Sequence, residues 1–120
     1  EHSLIGIREI LNIISESKIK PTLAVLKVFG EENKNFMSFP MKGYSLAIDF
    51  KIQSNLFKFL DQLDEIIIKY KGRIYLSKDA RANSITFEKG YPKINIFRQL
   101  RVKYNLKSKL NSFQSKRLKI

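Results

Sequence analysis

Gly43-Tyr44-Ser45-Leu46-Ala47-Ile48-Asp49-Phe50-Lys51-Ile52 alternates bulky and small side chains. Tyr44, Leu46, Ile48 and Phe50 share one face, and Ser45, Ala47 and Asp49 share the other, the period-two pattern of a strand. The small face leaves room for a helix or a ligand. Residues 22–29 read as a second strand, with Leu23, Val25, Lys27 and Phe29 on one face and Ala24, Leu26 and Val28 on the other. Lys27 is the oddity among these apolar neighbours. Either it snorkels from an exposed strand end, or its ammonium meets a ligand. Between the strands, residues 30–42 form a polar loop in which Pro40 disfavours a central strand.

Helical periodicity flanks this pair. Ser3 suits an N-cap, with Leu4, Ile7, Leu11 and Ile14 on one stripe, and the helix should end before Pro21. A second helix is predicted from a cap at Ser54 or Asn55, with Leu56, Leu60, Leu63, Ile67 and Tyr70 inward and Asp61 and Asp64 on the solvated side. Lys71-Gly72 supplies the cation and the glycine of a helix C-terminus. Residues 73–77 (Arg-Ile-Tyr-Leu-Ser) read as a third strand, ending in the mixed charges of Lys78, Asp79 and Arg81. Residues 79–89 read as irregular or briefly helical. Pro92 can open a helix to about Tyr104, with Ile96 and Leu100 inward, joined by Phe97 and Tyr104. From Asn105 the pattern decays into a basic tail. This order predicts an α+β domain, an antiparallel β-sheet covered by helices on one face.

The composition fits a folded domain: 120 residues, 43% hydrophobic and 12% aromatic. With no cysteine, disulfides and thiolate metal sites are excluded, and a cytoplasmic setting is compatible. His2 is the only histidine, which argues against an imidazole metal site or a catalytic triad. No apolar run is long enough to cross a bilayer. The start at Glu1-His2-Ser3, without methionine, reads as a fragment.

The formal charge is +12, and no acid follows Glu88. Such a balance suits phosphate, whether in nucleic acid, anionic headgroups or a phosphorylated substrate. It equally suits a coding bias that enriches Ile, Lys and Asn together. A small basic nucleic-acid-binding module, with Tyr44, Phe50 or Tyr75 as stacking platforms, is the alternative from another functional class.

Several motifs in order carry a resemblance: residues 26–30 (LKVFG), Ser38-Phe39-Pro40 with Gly43-Tyr44 and Asp49-Phe50, residues 75–81 (YLSKDAR), Tyr91-Pro92 and residues 115–118 (SKRL). They resemble the C-terminal substrate domain of FAD-linked sugar oxidases of the vanillyl-alcohol-oxidase-type superfamily, most of all the decaprenylphosphoryl-ribose 2-oxidase group. The resemblance implies that residues 1–120 are a C-terminal substrate-binding domain fragment. An FAD-binding domain would lie outside this chain, and an initial strand of the substrate domain upstream of Glu1. The chain alone would be inactive, because nothing in it resembles a glycine-rich cofactor loop.

The same resemblance assigns residue roles. Lys78 and Tyr75 are catalytic and cofactor-facing; Lys27, Val25, Phe29, Ser45 and Ala47 bind substrate. A cation beside a reduced flavin ring would stabilise its negative charge, by roughly 4 kcal/mol at 4 Å and an effective dielectric near 20 before desolvation. The bland alternatives are a surface Lys78 paired with Asp79 and an ordinary half-buried Tyr75. Asp79 and Arg81 read as an ion pair that fixes the loop carrying Lys78. The implied partners are a sugar or polyprenylphosphoryl-sugar substrate of the bacterial cell wall, the protein's own FAD-binding domain and a partner reductase. An anionic membrane surface, met peripherally at the inner membrane, is a further expectation; on this reading nucleic acid is disfavoured. A third possibility is an interaction domain that keeps the oxidase fold without its chemistry.

Overall fold

The two strands pair as a ladder. In the computed structural model, which describes residues 2–120 apart from the side chain of Ser108, β1 (Pro21–Phe29) pairs antiparallel with β2 (Gly43–Phe50). Val25 lies opposite Ala47, Lys27 opposite Ser45 and Phe29 opposite Gly43, with a register irregularity between Pro21 and Leu23. Cross-strand partners share a face, so Val25, Lys27, Ser45 and Ala47 stand together.

The other face, with Ile48 and Phe50, packs on helices α1 (His2–Glu16) and α2 (Leu56–Lys69) around Ile14, Phe59, Leu63 and Ile66. Phe50 meets Phe59 edge-to-face at 6.2 Å between ring centres. The result is an α+β fold with its antiparallel sheet covered by helices on one face, as the patterning predicts. The inward stripe of α1 differs from the expected one. Ile7, Ile10 and Ile14 face the core, while Leu4 and Leu11 are exposed. Gly6 explains the rotation: a Cβ there would sit 2.9 Å from Tyr70 Cγ, so the ring lies against bare backbone.

After α2 the chain departs from the sequence reading. Residues 73–77 are not a strand; a stretch outside any ladder runs into one 3₁₀ turn, Leu76–Lys78. Their carbonyls are met by side chains rather than by a ladder. Tyr91 Oη donates to Ile74 O at 2.7 Å, and Gln114 Nε2 to Leu76 O at 2.6 Å. Among the described residues the sheet therefore has only two strands.

The C-terminal part is helical: α3 (Ser84–Gly90), α4 (Ile94–Lys103), α5 (Leu106–Lys109) and α6 (Phe113–Arg117). Residues 105–120 are no loose tail. Leu118 is wholly enclosed with Phe87, Tyr91 and Ile94 in a second apolar cluster. Ser112 caps α6, exchanging side-chain and backbone hydrogen bonds with Ser115. Lysines separate the few apolar residues here, which hides the helical period. In α4 the inward positions are Ile94, Phe97 and Arg101, whereas Ile96 and Tyr104 are exposed.

Candidate functional site

The residues singled out for function gather around one opening. Lys27 and Phe29 from β1, Ser45 and Ala47 from β2, and Tyr75 and Lys78 beyond α2 line a cavity of about 580 Å³. Val25 shares the sheet face with them but is not among the lining residues. An aromatic relay joins the two walls. Phe29 meets Phe39 edge-to-face at 5.8 Å, and Phe39 lies 4.5 Å from the Tyr75 ring. Phe39 thus holds the Tyr75 segment against the end of β1, through ring contacts that need only apolar shape and quadrupole fit.

Lys78 sits in the 3₁₀ turn, with its amide donating to Tyr75 O at 3.1 Å and its side chain exposed. It does not pair with Asp79. Asp79 Oδ1 accepts from the amides of Arg81 at 2.9 Å and Ala82 at 2.8 Å, and Oδ2 accepts from Arg117 at 2.9 Å. Burial alone would raise the Asp79 carboxyl, but the two amides and the guanidinium together hold it below the usual carboxylate range. Among the described residues no salt bridge engages Lys27 or Lys78.

The expected Asp79–Arg81 ion pair is also corrected. The Arg81 guanidinium reaches back to α2, donating to Asp64 at 2.6 Å and Asp61 at 2.8 Å. Asp64 is therefore not on a solvated side: it is buried, 3% exposed, and burial pushes its carboxyl up against the opposing pull of Arg81. Its Oδ2 has no hydrogen-bond partner among the described residues. The segment carrying Lys78 is pinned at Asp79 to α6 and at Arg81 to α2. Long-range pairs of this kind leave no local trace in a sequence, so Arg117 and Asp64 escape a residue-by-residue reading. Phe39 could have been suspected from its place beside Pro40 in the quoted motif.

Arg73 closes the adjoining loop. Its guanidinium donates to Ser38 O at 2.5 Å and to Glu32 at 3.3 Å, and lies over the Tyr91 ring at 5.3 Å. No helix among the described residues is long and apolar enough to cross a membrane.

What these elements define is an α+β domain with two cations at one aromatic-walled opening, and sequence comparison relates it to part of an oxidase. That relative is decaprenylphosphoryl-beta-D-ribose oxidase of Mycolicibacterium smegmatis, 37% identical over 79 residues. The match covers 66% of this chain but 17% of the relative. An uncharacterized protein in the mprA 5′ region of Streptomyces coelicolor is 27% identical over 113 residues, covering 93% of this chain and 31% of that protein. The chain thus spans less than a third of either curated relative. No family model matches it.

Proposed function

We propose that this chain is the substrate-side domain of an FAD-dependent oxidoreductase that oxidises a sugar hydroxyl. The substrate class follows the relative's name, a polyprenylphosphoryl ribose, with the 2-hydroxyl as the reacting group. The observation that carries the reading is the gathering of Lys27, Phe29, Ser45, Ala47, Tyr75 and Lys78 around one cavity. Similarity to an oxidase over 66% of the chain supports it.

The residues present fit a flavin on one side only. The exposed Lys78 ammonium and Tyr75 phenol offer donors suited to the carbonyl edge of an isoalloxazine ring. No glycine-rich phosphate cradle occurs in the sequence, so the phosphates belong to another part of the full-length protein. When bound, the flavin supplies the hydride acceptor. The chain's own residues do the rest. Lys78 offsets negative charge that accumulates at the acceptor, and a fixed cation does so without reorganising during the reaction. Tyr75, steadied by Phe39, donates a hydrogen bond that orients the sugar. Lys27 places a second cation on the sheet face, positioned for a phosphate, while Ser45 and Ala47 leave space for the ring. Val25 lies outside the cavity lining and is assigned a supporting contact on the same face.

The test uses the full-length gene product. It should purify with a flavin absorbance band and oxidise a polyprenylphosphoryl ribose. Lys78→Ala should lower kcat by roughly 10²–10³-fold, and Lys27→Ala should mainly raise KM. A product without flavin, or a Lys78→Ala enzyme with unchanged turnover, would defeat the assignment.

A further inference from the structure

Lys78 and Tyr75 reach the cavity from a segment with little structure of its own. The turn Leu76–Lys78 is closed by two backbone hydrogen bonds, Lys78 N to Tyr75 O at 3.1 Å and Asp79 N to Leu76 O at 3.3 Å. Bonds of the 3₁₀ type have poor geometry, and so short a run does not sustain itself. The Lys78 side chain is exposed and joins no salt bridge among the described residues. Its backbone therefore decides where the ammonium stands.

The ties that fix this backbone come from the C-terminal helices. Gln114, Arg117 and Leu118 follow the i, i+3, i+4 spacing of one helix face. Leu118 seats that face in the second apolar cluster, and the Ser112 cap closes its other end. From this base Gln114 Nε2 donates to Leu76 O at 2.6 Å and to Asp79 O at 3.3 Å. One amide group thus spans the turn, holding the residue that opens it and the residue just past its end. Tyr91 holds only the Ile74 carbonyl before the turn, and Arg117 only Asp79 and Ala82 after it. Gln114 bonds on both sides of Lys78, which neither of those does.

We infer that Gln114 is a positioning residue for Lys78, acting through the turn and touching neither substrate nor flavin, which rests on the reading of Lys78 as the cation beside the hydride acceptor. A cation held in one place offsets charge at the acceptor without reorganising. A turn that opens freely spreads the ammonium over several positions, and the rate of transfer falls while substrate affinity does not. The burden therefore falls on kcat. Gln114 also separates positioning from folding better than its neighbours do. Its bonds to two carbonyls involve no ion, so replacing it strands no buried charge, whereas a change at Asp79 or Arg117 does.

Two measurements on the full-length gene product test it. Gln114→Met keeps the length of the side chain and removes its donors. The amides of Lys78 and Asp79, which close the turn, should then exchange with solvent roughly 10-fold faster. Core amides such as those of Phe59 and Leu63 should exchange as in the parent. Unchanged exchange at the turn, or equal acceleration everywhere, overturns the inference. In turnover, Gln114→Met should lower kcat per bound flavin by roughly 10-fold with KM little changed. It should cost nothing further in a Lys78→Ala background, and an equal loss in both backgrounds overturns the inference. Gln114→Lys returns a donor and should recover both the protection of the turn and most of kcat; a variant no better than Gln114→Met overturns it as well. Parent-like turnover of Lys78→Ala, with the turn still loosened by Gln114→Met, defeats the oxidase reading and takes the positioning role with it.

Discussion

Asp79 and Arg117 meet at 2.9 Å although 38 residues separate them, and this contact ties the turn carrying Lys78 to the last helix. Arg117 also donates to Ala82 O at 2.6 Å, and Asp79 accepts two backbone amides. The Asp79 side chain is 3% exposed, so breaking the contact leaves buried polar groups without partners. Asp79→Asn should lower stability by about 2–3 kcal/mol in urea unfolding, and Arg117→Ala by a similar amount. The double variant should cost less than the sum of the two, because each single change already abandons the same partner. Full additivity would show that the pair contributes nothing.

The pH dependence of stability should carry two opposing contributions. The folded Asp79 carboxyl lies below the unfolded value near 3.9. Its stabilisation is therefore present above that value and lost as pH falls through the folded pKa. Asp64 is raised by burial, so its contribution is present below about 3.9 and lost as pH rises through its folded pKa. Urea midpoints measured from strongly acidic to neutral pH should show Asp79→Asn with a flattened acid limb. Asp64→Asn should lose the decline on the neutral side. An Asp79→Asn profile parallel to the parent at acid pH would refute the assignment.

Phe39 should act through both of its ring neighbours. Phe39→Ala removes contacts to Phe29 and Tyr75 together and should cost about 1–3 kcal/mol. Phe39→Leu keeps most of the apolar burial and should cost less. In both variants the Tyr75 ring resonances should shift in NMR spectra; if they stay in place, Tyr75 is held by something else.

Leu118 provides the test of the C-terminal cluster. Its side chain is wholly enclosed in the cluster with Phe87, Tyr91 and Ile94, so Leu118→Ala should destabilise by about 2–5 kcal/mol in chemical denaturation. Phe113, 93% exposed at the start of α6, is the control, and Phe113→Ala should shift stability by no more than about 0.5 kcal/mol.

The sequence made the strand pair and the two long helices legible because each carries a readable period, although the inward stripe of α1 is turned from the expected one. Tyr44 to Phe50 alternates without fault, and Leu56 to Tyr70 keeps a stripe through a helix whose caps are weak. Asn55 adopts a left-handed backbone and its side chain makes no capping bond, yet the helix starts beside it. The misreadings came from long-range partners. Arg73–Ser77 has strand-like residues, but a strand is defined by its neighbour, and here Tyr91 and Gln114 take two carbonyls that a ladder would use. Asp64 reads as solvated from its place on α2, because Arg81, which covers it, lies 17 residues further along the chain. Of the candidate site, Lys27, Phe29, Tyr75 and Lys78 could be named from the motifs and line one cavity, while the relay through Phe39 became visible only in three dimensions.

The Tyr91 hydroxyl, enclosed and donating to Ile74 O, has its pKa pushed up to about 12 by burial, with the Arg73 guanidinium pulling the other way. In a chain with five tyrosines and no tryptophan, this makes the phenols an intrinsic optical gauge of folding in alkali. Tyr91 should stay dark in tyrosinate absorbance while the second cluster is closed and contribute only when that cluster opens. Because its folded pKa exceeds the unfolded value near 10, ionisation of Tyr91 withdraws stability as pH climbs from about 10 toward 12. The phenol that braces the chain behind Lys78 thus also limits how basic a solution the domain can withstand.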